Sequence, residues 1–206
     1  MALEDFTTFD IFGWEGRWLL IEAEQVDFEI RKDDDNCLYK DYGVDFFAGD
    51  FELTIEYYLN AETANGGIIF PVALTNTVAG YDPTGQNFNG FHLEQWTNVN
   101  QYAVEVTANI EYTAGEYSNT GQTLYKGVLK REGSTLTLTI YNSSEVELLS
   151  HSLTLQTVEV FRYLQVGTSW NTAETKTITG SLYRLNVVAG IASTPKSNPL
   201  FFGQDF

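Results

Sequence analysis

The stretch Phe51–Leu59, FELTIEYYL, alternates between bulky apolar side chains and mainly polar ones. Successive side chains of a β-strand point to opposite faces, so a period of two indicates a strand with one buried face and one solvated face. The stretch therefore predicts an antiparallel strand that covers a hydrophobic core. Its core-facing set comprises Phe51, Leu53, Ile55, Tyr57 and Leu59.

The same period recurs along the chain, and no long stretch follows the 3.6-residue period of a helix. In Gln25–Arg31, for example, Val26, Phe28 and Ile30 are predicted to face the core. Many short strands separated by Gly, Asn and Asp turn signals are typical of a sandwich or barrel. We predict an all-β fold of two antiparallel sheets. The other predicted strands are Arg17–Ala23, Gly67–Leu74, Phe91–Trp96, Gln101–Ile110, Thr123–Lys130, Thr135–Tyr141, Glu147–Leu155, Phe161–Ser169 and Ile178–Val188.

The 206 residues suit one β domain, with an N-terminal arm at 1–16, the sandwich at 17–189 and a tail at 190–206. The tail contains two prolines and ends in a segment with three phenylalanines, Phe201, Phe202 and Phe206. Such side chains avoid water, so we expect the end of the tail either to fold back onto the sandwich or to dock on a neighbouring protein.

The composition narrows the range of partners and compartments. The formal net charge of −17 opposes the binding of nucleic acid. A single cysteine, Cys37, allows no intrachain disulfide and is expected to be a small buried residue. The first residues lack the basic and apolar regions of a secretory signal, and no apolar run has the length of a membrane span. We therefore expect synthesis in the cytoplasm and no membrane partner.

Two segments resemble laminin G-like and other concanavalin A-like domains. Leu124–Tyr141, LYKGVLKREGSTLTLTIY, is similar to the central hairpin of that family, and Gly180–Val188, GSLYRLNVV, is similar to its last strand. The resemblance implies a jelly-roll sandwich.

The segment Tyr39–Glu52, YKDYGVDFFAGDFE, is similar to a pattern in uncharacterised tailed-phage and metagenomic proteins that are usually encoded among virion structural genes. This resemblance implies a non-enzymatic virion protein, such as a capsid decoration protein or a fibre or tail component. Its expected partners are the virion shell, other structural proteins and further copies of the chain, and its expected location is the virion.

Enzymatic activity is the lower-ranked of two alternatives, and it arises because related sandwiches host glycoside hydrolases and polysaccharide lyases. The glucanase pattern is Glu-x-Asp-x-x-Glu on one strand, and the spacing in Glu22–Glu29 does not match it. The chain has only two histidines and no Gly-x-Ser-x-Gly motif, which disfavours nucleophilic catalysis. We assign no catalytic residue and expect the chain not to be an enzyme.

Calcium is the only cofactor for which the sequence offers a candidate. The run Asp33–Asn36 carries hard oxygen ligands but lacks the EF-hand spacing, so we expect a solvated hairpin turn there. Asp41, Asp45 and Asp50 are further candidates at the rim of the sandwich. We predict no cofactor and assign no metal ligand.

The higher-ranked alternative is a lectin-like adhesion module with a platform for a surface glycan. If Phe91 and Leu93 face the core, the alternate residues of that strand point outward beside polar residues of the next strand. An outward indole stacks on the apolar face of a pyranose, while carboxylates and amides bind its hydroxyl groups. The competing interpretation is that Trp96 packs beneath a loop or against another subunit. The predicted glycan-binding residues are His92, Glu94, Trp96, Gln101 and Glu105, with Tyr81 as a wall and Trp170 as the far edge.

Overall fold

The computed structural model describes residues 3–13, 18–31, 37–59, 67–76, 78, 90–96, 101–103, 115–116, 124–154, 161–171 and 177–191. Within these ranges the chain forms one short 3-10 helix, Phe6–Thr8, and fourteen strands. The strands are β1 (Asp10–Phe12), β2 (Trp18–Ile21), β3 (Gln25–Arg31), β4 (Cys37–Asp41), β5 (Asp50–Leu59), β6 (Gly67–Thr75), β7 (Gly90–Trp96), β8 (Gln101–Ala103), β9 (Gly115–Glu116), β10 (Tyr125–Glu132), β11 (Thr135–Asn142), β12 (Glu147–Thr154), β13 (Tyr163–Asn171) and β14 (Thr177–Ile191).

The strands form two antiparallel sheets of seven strands each. Sheet I has the order β12-β11-β10-β5-β14-β3-β2, and sheet II has the order β1-β4-β13-β6-β7-β8-β9. Half of the neighbouring pairs in each sheet are distant in sequence, as expected of a jelly roll, in which the chain crosses repeatedly between the two layers. The all-β, two-sheet antiparallel prediction is confirmed.

Strand β5 lies at the centre of sheet I, between β10 and β14. The side chains of Phe51, Leu53, Ile55 and Tyr57 have no solvent exposure, which confirms the face predicted from the alternation. Burial of each such side chain contributes about 1.5–3 kcal/mol to folding. The core of the sandwich is therefore built on β5.

The described residues at the start of the chain pack against the sandwich. Asp5 caps the 3-10 helix by accepting a hydrogen bond from the Thr7 N–H (2.9 Å). The rings of Phe6 and Phe9 enter the hydrophobic core, and β1 pairs with β4 at the edge of sheet II. This part of the predicted arm therefore contributes a strand and two core residues.

A β-bulge in β14 shapes the outer face of sheet I. Tyr183 pairs with Glu56 and Asn186 pairs with Thr54, so Arg184 and Leu185 together face a single residue of β5. Leu185 enters the core, whereas Arg184 is exposed and has a φ of +45°. This geometry is a backbone kink that redirects one side chain.

Contacts to two other segments hold the bulge in place. The Leu185 carbonyl accepts a hydrogen bond from the Glu4 N–H (2.8 Å), and the Arg184 N–H donates to the Glu24 carbonyl (3.1 Å). The conformation of the bulge is therefore fixed from both sides.

Most predicted strands are found close to their predicted bounds, and Gln25–Arg31 is found with the same bounds. Strands β1, β4 and β9 were not predicted. The predicted strand Gln101–Ile110 is described only at Gln101–Ala103, and the tail at 192–206 lies outside the described residues.

Candidate functional site

The outer face of sheet II is defined by the residues that alternate with its core residues. Leu38, Leu164 and Leu74 belong to the hydrophobic core. Their neighbours along the strands, including Tyr39 and Thr75, do not belong to that core. Because successive side chains of a strand point to opposite faces, these neighbours lie on the side of the sheet turned away from sheet I.

Backbone pairing aligns one row of residues across five strands of sheet II. Each pair in the row is directly opposite, so the row crosses the sheet perpendicular to the strands, over roughly 19 Å at the usual strand spacing. His92, a predicted glycan-binding residue, lies at one end of the row. The row runs Asp10, Tyr39, Gln165, Ala73, His92.

Two tyrosines form an aromatic pair on this face. The ring centroids of Tyr39 and Tyr163 are 6.2 Å apart, with an interplanar angle of 73°, an edge-to-face arrangement. Both rings are half-buried. The guanidinium carbon of Arg162 lies 4.9 Å from the centroid of the Tyr163 ring, within the range of a cation–π contact.

A bidentate ion pair lies beside the tyrosines. Arg162 Nε donates to Asp41 Oδ1 (2.8 Å) and Arg162 Nη2 donates to Asp41 Oδ2 (2.6 Å). These hydrogen bonds, with one from the Gly43 N–H, lower the pKa of Asp41 to about 2, and they raise the pKa of Arg162. Asp41 is therefore ionised at neutral pH, and both groups stay charged at the surface.

The backbone fixes the position of this ion pair. The Arg162 N–H donates to the Thr75 carbonyl (2.8 Å), and the Arg162 carbonyl accepts from the Tyr42 N–H (3.0 Å). Arg162 thus links the ends of β6 and β4, and these hydrogen bonds fix the backbone from which its side chain extends.

Three buried polar side chains lie deeper on the same face. The thiol of Cys37 donates to Gln165 Oε1 (3.1 Å), and Gln165 Nε2 donates to Thr75 Oγ1 (2.6 Å). All three residues are at most 1 % exposed, so the predicted burial of Cys37 is confirmed. A buried chain of satisfied hydrogen bonds makes this part of the face rigid.

The register also places most of the other predicted glycan-binding residues. Trp96 of β7 and Trp170 of β13 both pair with Ile68 of β6, so their backbones flank the same residue. Glu94 pairs with Ala103, farther toward the β9 edge. Sheet II therefore brings Trp96 and Trp170 to one register position.

Two findings separate these residues from the rest of the predicted platform. A register shift between Ile69 and Val72 lies between the pairs formed by Trp96 and by His92. Gln101 pairs with Glu116, toward the β9 edge. Tyr81, Glu105, Phe201, Phe202 and Phe206 lie outside the described residues.

The sequence prediction did not include Tyr39, Asp41, Arg162 or Tyr163. Asp41 and Arg162 are 121 positions apart, so no local pattern links them. The available signal was the adjacency of Arg162 to an aromatic residue at the start of a predicted strand.

In the described part of the chain, no three His, Cys, Asp or Glu side chains cluster as a metal site would require. Two of the rim candidates have protein partners: Asp41 binds Arg162, and Asp50 Oδ1 accepts from the Gly133 N–H (2.7 Å). Asp45 lies in the loop before β5, where its carbonyl accepts from the Ala48 N–H (3.3 Å). The run Asp33–Asn36 lies outside the described residues.

The described residues also contain no helix of the length and apolarity that a bilayer span requires.

By sequence, the chain matches no protein-family model and no curated protein. By structure, it resembles basic winged bean lectin in complex with Tn-antigen, with a TM-score of 0.57 and 11 % identity over 90 % of this chain and 97 % of the lectin. It also resembles the legume lectin-like domain from Entamoeba histolytica, with a TM-score of 0.58 and 13 % identity over 88 % of this chain and 89 % of that domain.

An enzyme is found among the structural neighbours as well. The alginate lyase from Klebsiella pneumoniae matches with a TM-score of 0.55 and 11 % identity over 87 % of this chain and 86 % of the lyase. At such low identity the similarity establishes the fold and not the activity. The chain has the concanavalin A-like jelly-roll fold that the resemblance of its second half implied.

Proposed function

We propose that this chain is a non-enzymatic, lectin-like module that binds glycans on the outer face of sheet II. The observation that carries the proposal is the half-buried pair Tyr39 and Tyr163 beside the bidentate pair Arg162 and Asp41. Tyrosine rings offer an apolar surface to the C–H face of a pyranose, and the charged pair offers donors and acceptors to its hydroxyl groups.

Rigidity supports the same proposal. Arg162 is anchored through its backbone, and the buried chain from Cys37 through Gln165 to Thr75 fixes the strands beneath. A preorganised site loses less conformational entropy when a ligand binds, which matters for a weakly held saccharide.

A glycan array tests the proposal directly. We expect the full chain to bind a limited set of glycans, and we expect Tyr39→Ala and Tyr163→Ala to weaken that binding at least tenfold through the loss of stacking. Phe46→Ala is the control, because Phe46 is an exposed aromatic residue in the loop between β4 and β5, outside both sheet faces.

Two results would contradict the proposal. If the chain bound none of the neutral, acidic and sulfated glycans on the array, glycan binding would be excluded. Release of new reducing ends or unsaturated sugars from a polysaccharide panel would instead identify a glycoside hydrolase or a lyase.

A second candidate function, display on a virion, is favoured by the loop between β4 and β5. This loop belongs to the segment that resembles phage proteins, and it presents Val44 and Phe46 to solvent at 54 % and 39 % exposure. The Phe46 ring packs against Tyr42 (4.5 Å) and Phe47 (4.9 Å), which holds the exposed edge in place. We propose that this rigid apolar loop docks on a virion structural protein or on another copy of the chain.

Co-sedimentation with the particle tests this second function. Val44→Glu combined with Phe46→Glu should abolish association with the particle, whereas Val146→Glu, at an equally exposed valine in another loop, should not. Equal association of all variants would exclude the loop as the docking element.

A further inference from the structure

The outer face of sheet I contains a depression beside the bulge of β14. It encloses about 440 Å³ and is lined by Glu56, Tyr58, Leu124, Tyr183 and Arg184. A hollow of about 220 Å³ adjoins it, shares Glu56, Leu124 and Arg184, and adds a wall from β10 and the hairpin between β11 and β12. The larger volume is within the range of small-molecule sites. We call the two together the sheet I depression.

The sheet I depression lies on a row of residues that are directly paired across five strands. Because direct neighbours in an antiparallel sheet share a face, their side chains line one strip of the surface. From β14 to β11, the aromatic residues Tyr183 and Tyr141 flank the charged residues Glu56 and Lys126 along this strip. The row runs Gln25, Tyr183, Glu56, Lys126, Tyr141.

Backbone strain is concentrated at this place. In the described ranges, the non-glycine residues with positive φ are Arg184 (+45°) and Glu145 (+59°). Both line the sheet I depression. Residues of this kind are enriched at ligand sites, where the fold holds an unfavourable backbone to aim a side chain. The bulge aims Arg184, and the hairpin places Glu145 where a glycine is the usual choice.

The charges of the sheet I depression are already balanced within it. Arg184 Nη1 lies 3.7 Å from Glu56 Oε1. Lys126 Nζ binds Glu145 Oε2 and lies 4.8 Å from the centroid of the Tyr141 ring. Two cations and two carboxylates leave no local excess of either sign, and the chain as a whole carries −17. An anionic ligand would therefore be repelled at long range and would gain no unpaired cation.

The side chains that line the sheet I depression suit an uncharged ligand that is rich in hydroxyl groups. The rings of Tyr58 and Tyr183 are half-buried and provide apolar walls. The carboxylate of Glu56 accepts hydrogen bonds and the guanidinium of Arg184 donates them, so together they can bind adjacent hydroxyl groups. A neutral hexose unit has both the apolar face and the hydroxyl groups that these residues require.

We propose that the sheet I depression is a second saccharide-binding site, specific for neutral hexose units. It is built from β5, β14 and the hairpin between β11 and β12, and it lies on the sheet opposite to the proposed glycan-binding face. Because the two faces share no residue, the second site stands or fails independently of the first.

Isothermal titration calorimetry of the full chain tests the proposal. The probes are trisaccharides of glucose, galactose and mannose, and the matching trisaccharides of their uronic acids. We expect a neutral trisaccharide to bind at a site that Tyr183→Ala and Arg184→Gly each weaken at least tenfold. Two controls should leave this site within twofold of the wild type. They are Lys130→Ala, an outward lysine of β10 outside the depression, and Tyr39→Ala on sheet II.

The outcomes separate the second site from the first. A loss caused by Tyr183→Ala and not by Tyr39→Ala supports the second site even if sheet II binds nothing. Unchanged affinity in both Tyr183→Ala and Arg184→Gly overturns it, as does binding that is confined to the uronates. Thermal unfolding of Arg184→Gly at or above the wild-type temperature shows that any loss of binding does not come from unfolding.

Discussion

Arg131 lies on the inward face of β10, following Tyr125 and Leu129, and is only 4 % exposed. Its Nε donates to the Gly133 carbonyl (3.0 Å) and its Nη1 donates to the Phe47 carbonyl (3.4 Å). Burial lowers the pKa of Arg131, although the nearby carboxylate of Asp50 favours the charged form. The guanidinium therefore connects the turn after β10 to the loop before β5.

We expect Arg131→Met to destabilise the chain by about 1–3 kcal/mol, because the Gly133 carbonyl and the buried Phe47 carbonyl lose a donor while the apolar stem is kept. Lys130→Met is the control one position away on the exposed face, and it should stay within about 0.5 kcal/mol of the wild type. Urea unfolding midpoints measure both. Equal midpoints for the two variants would contradict a structural role of the guanidinium.

Asp41 makes the stability of the fold depend on pH, and the direction of this dependence follows from its pKa. Its pKa falls from 3.8 to about 2 on folding, chiefly because Arg162 donates hydrogen bonds to it. The stability that it contributes is therefore complete above pH 4 and is lost as the pH falls toward 2. We expect Asp41→Asn to lose less stability than the wild type between pH 4 and pH 2, and the difference to be small at such an exposed site. Thermal unfolding across this range measures the effect, and parallel pH profiles would count against it.

At the scale of the element, the bulge in β14 predicts the relative stability of two variants at Arg184, which the side-chain contacts of Arg184 do not. Arg184→Ala and Arg184→Gly remove the same side chain, but only glycine tolerates a φ of +45° without strain. We expect the glycine variant to be more stable than the alanine variant by about 1 kcal/mol. At Thr54, an extended residue of the neighbouring β5, the order should reverse, because glycine there loses more backbone entropy. Thermal unfolding of the four variants tests this, and the same order at both sites would show that the bulge is unstrained.

The strands differ in how far the sequence predicts them. β5 has a long alternation with four side chains at 0 % exposure, so its position and its inward face followed from the pattern. β4 was missed because Cys37 and Leu38 are both fully buried, one on each face of sheet II, and this removes the alternation. β1 has only three residues, too few for any period to be visible.

The site was predicted less well than the fold. The pattern proposed residues of β7, and the register placed Trp96 and Trp170 at one position. The side chains that carry the described geometry come from β4 and β13, and the Asp41–Arg162 pair exists only once the sheet has formed. Likewise, the residues Asn142 to Ser144 predict a turn, but they do not predict that Glu145 adopts the left-handed backbone within it.

At the scale of the whole molecule, the two proposed sites lie on opposite outer faces of one sandwich. A single chain with this arrangement should bridge two glycan-bearing surfaces, because both sites can be occupied at once. We expect the chain to aggregate beads that carry a glycan bound by both sites. Tyr39→Ala or Tyr183→Ala alone should abolish aggregation while the other site still binds soluble sugar. Aggregation that survives either substitution would point to self-association of the chain.

The buried thiol of Cys37 can report on local opening of the structure. This thiol has no contact with solvent and lies beneath the outer face of sheet II, against Gln165. A maleimide added to the native protein should therefore react only when local opening exposes the thiol, so its rate measures the opening of the structure around Cys37. A saccharide that occupies the face should slow the labelling in proportion to its occupancy.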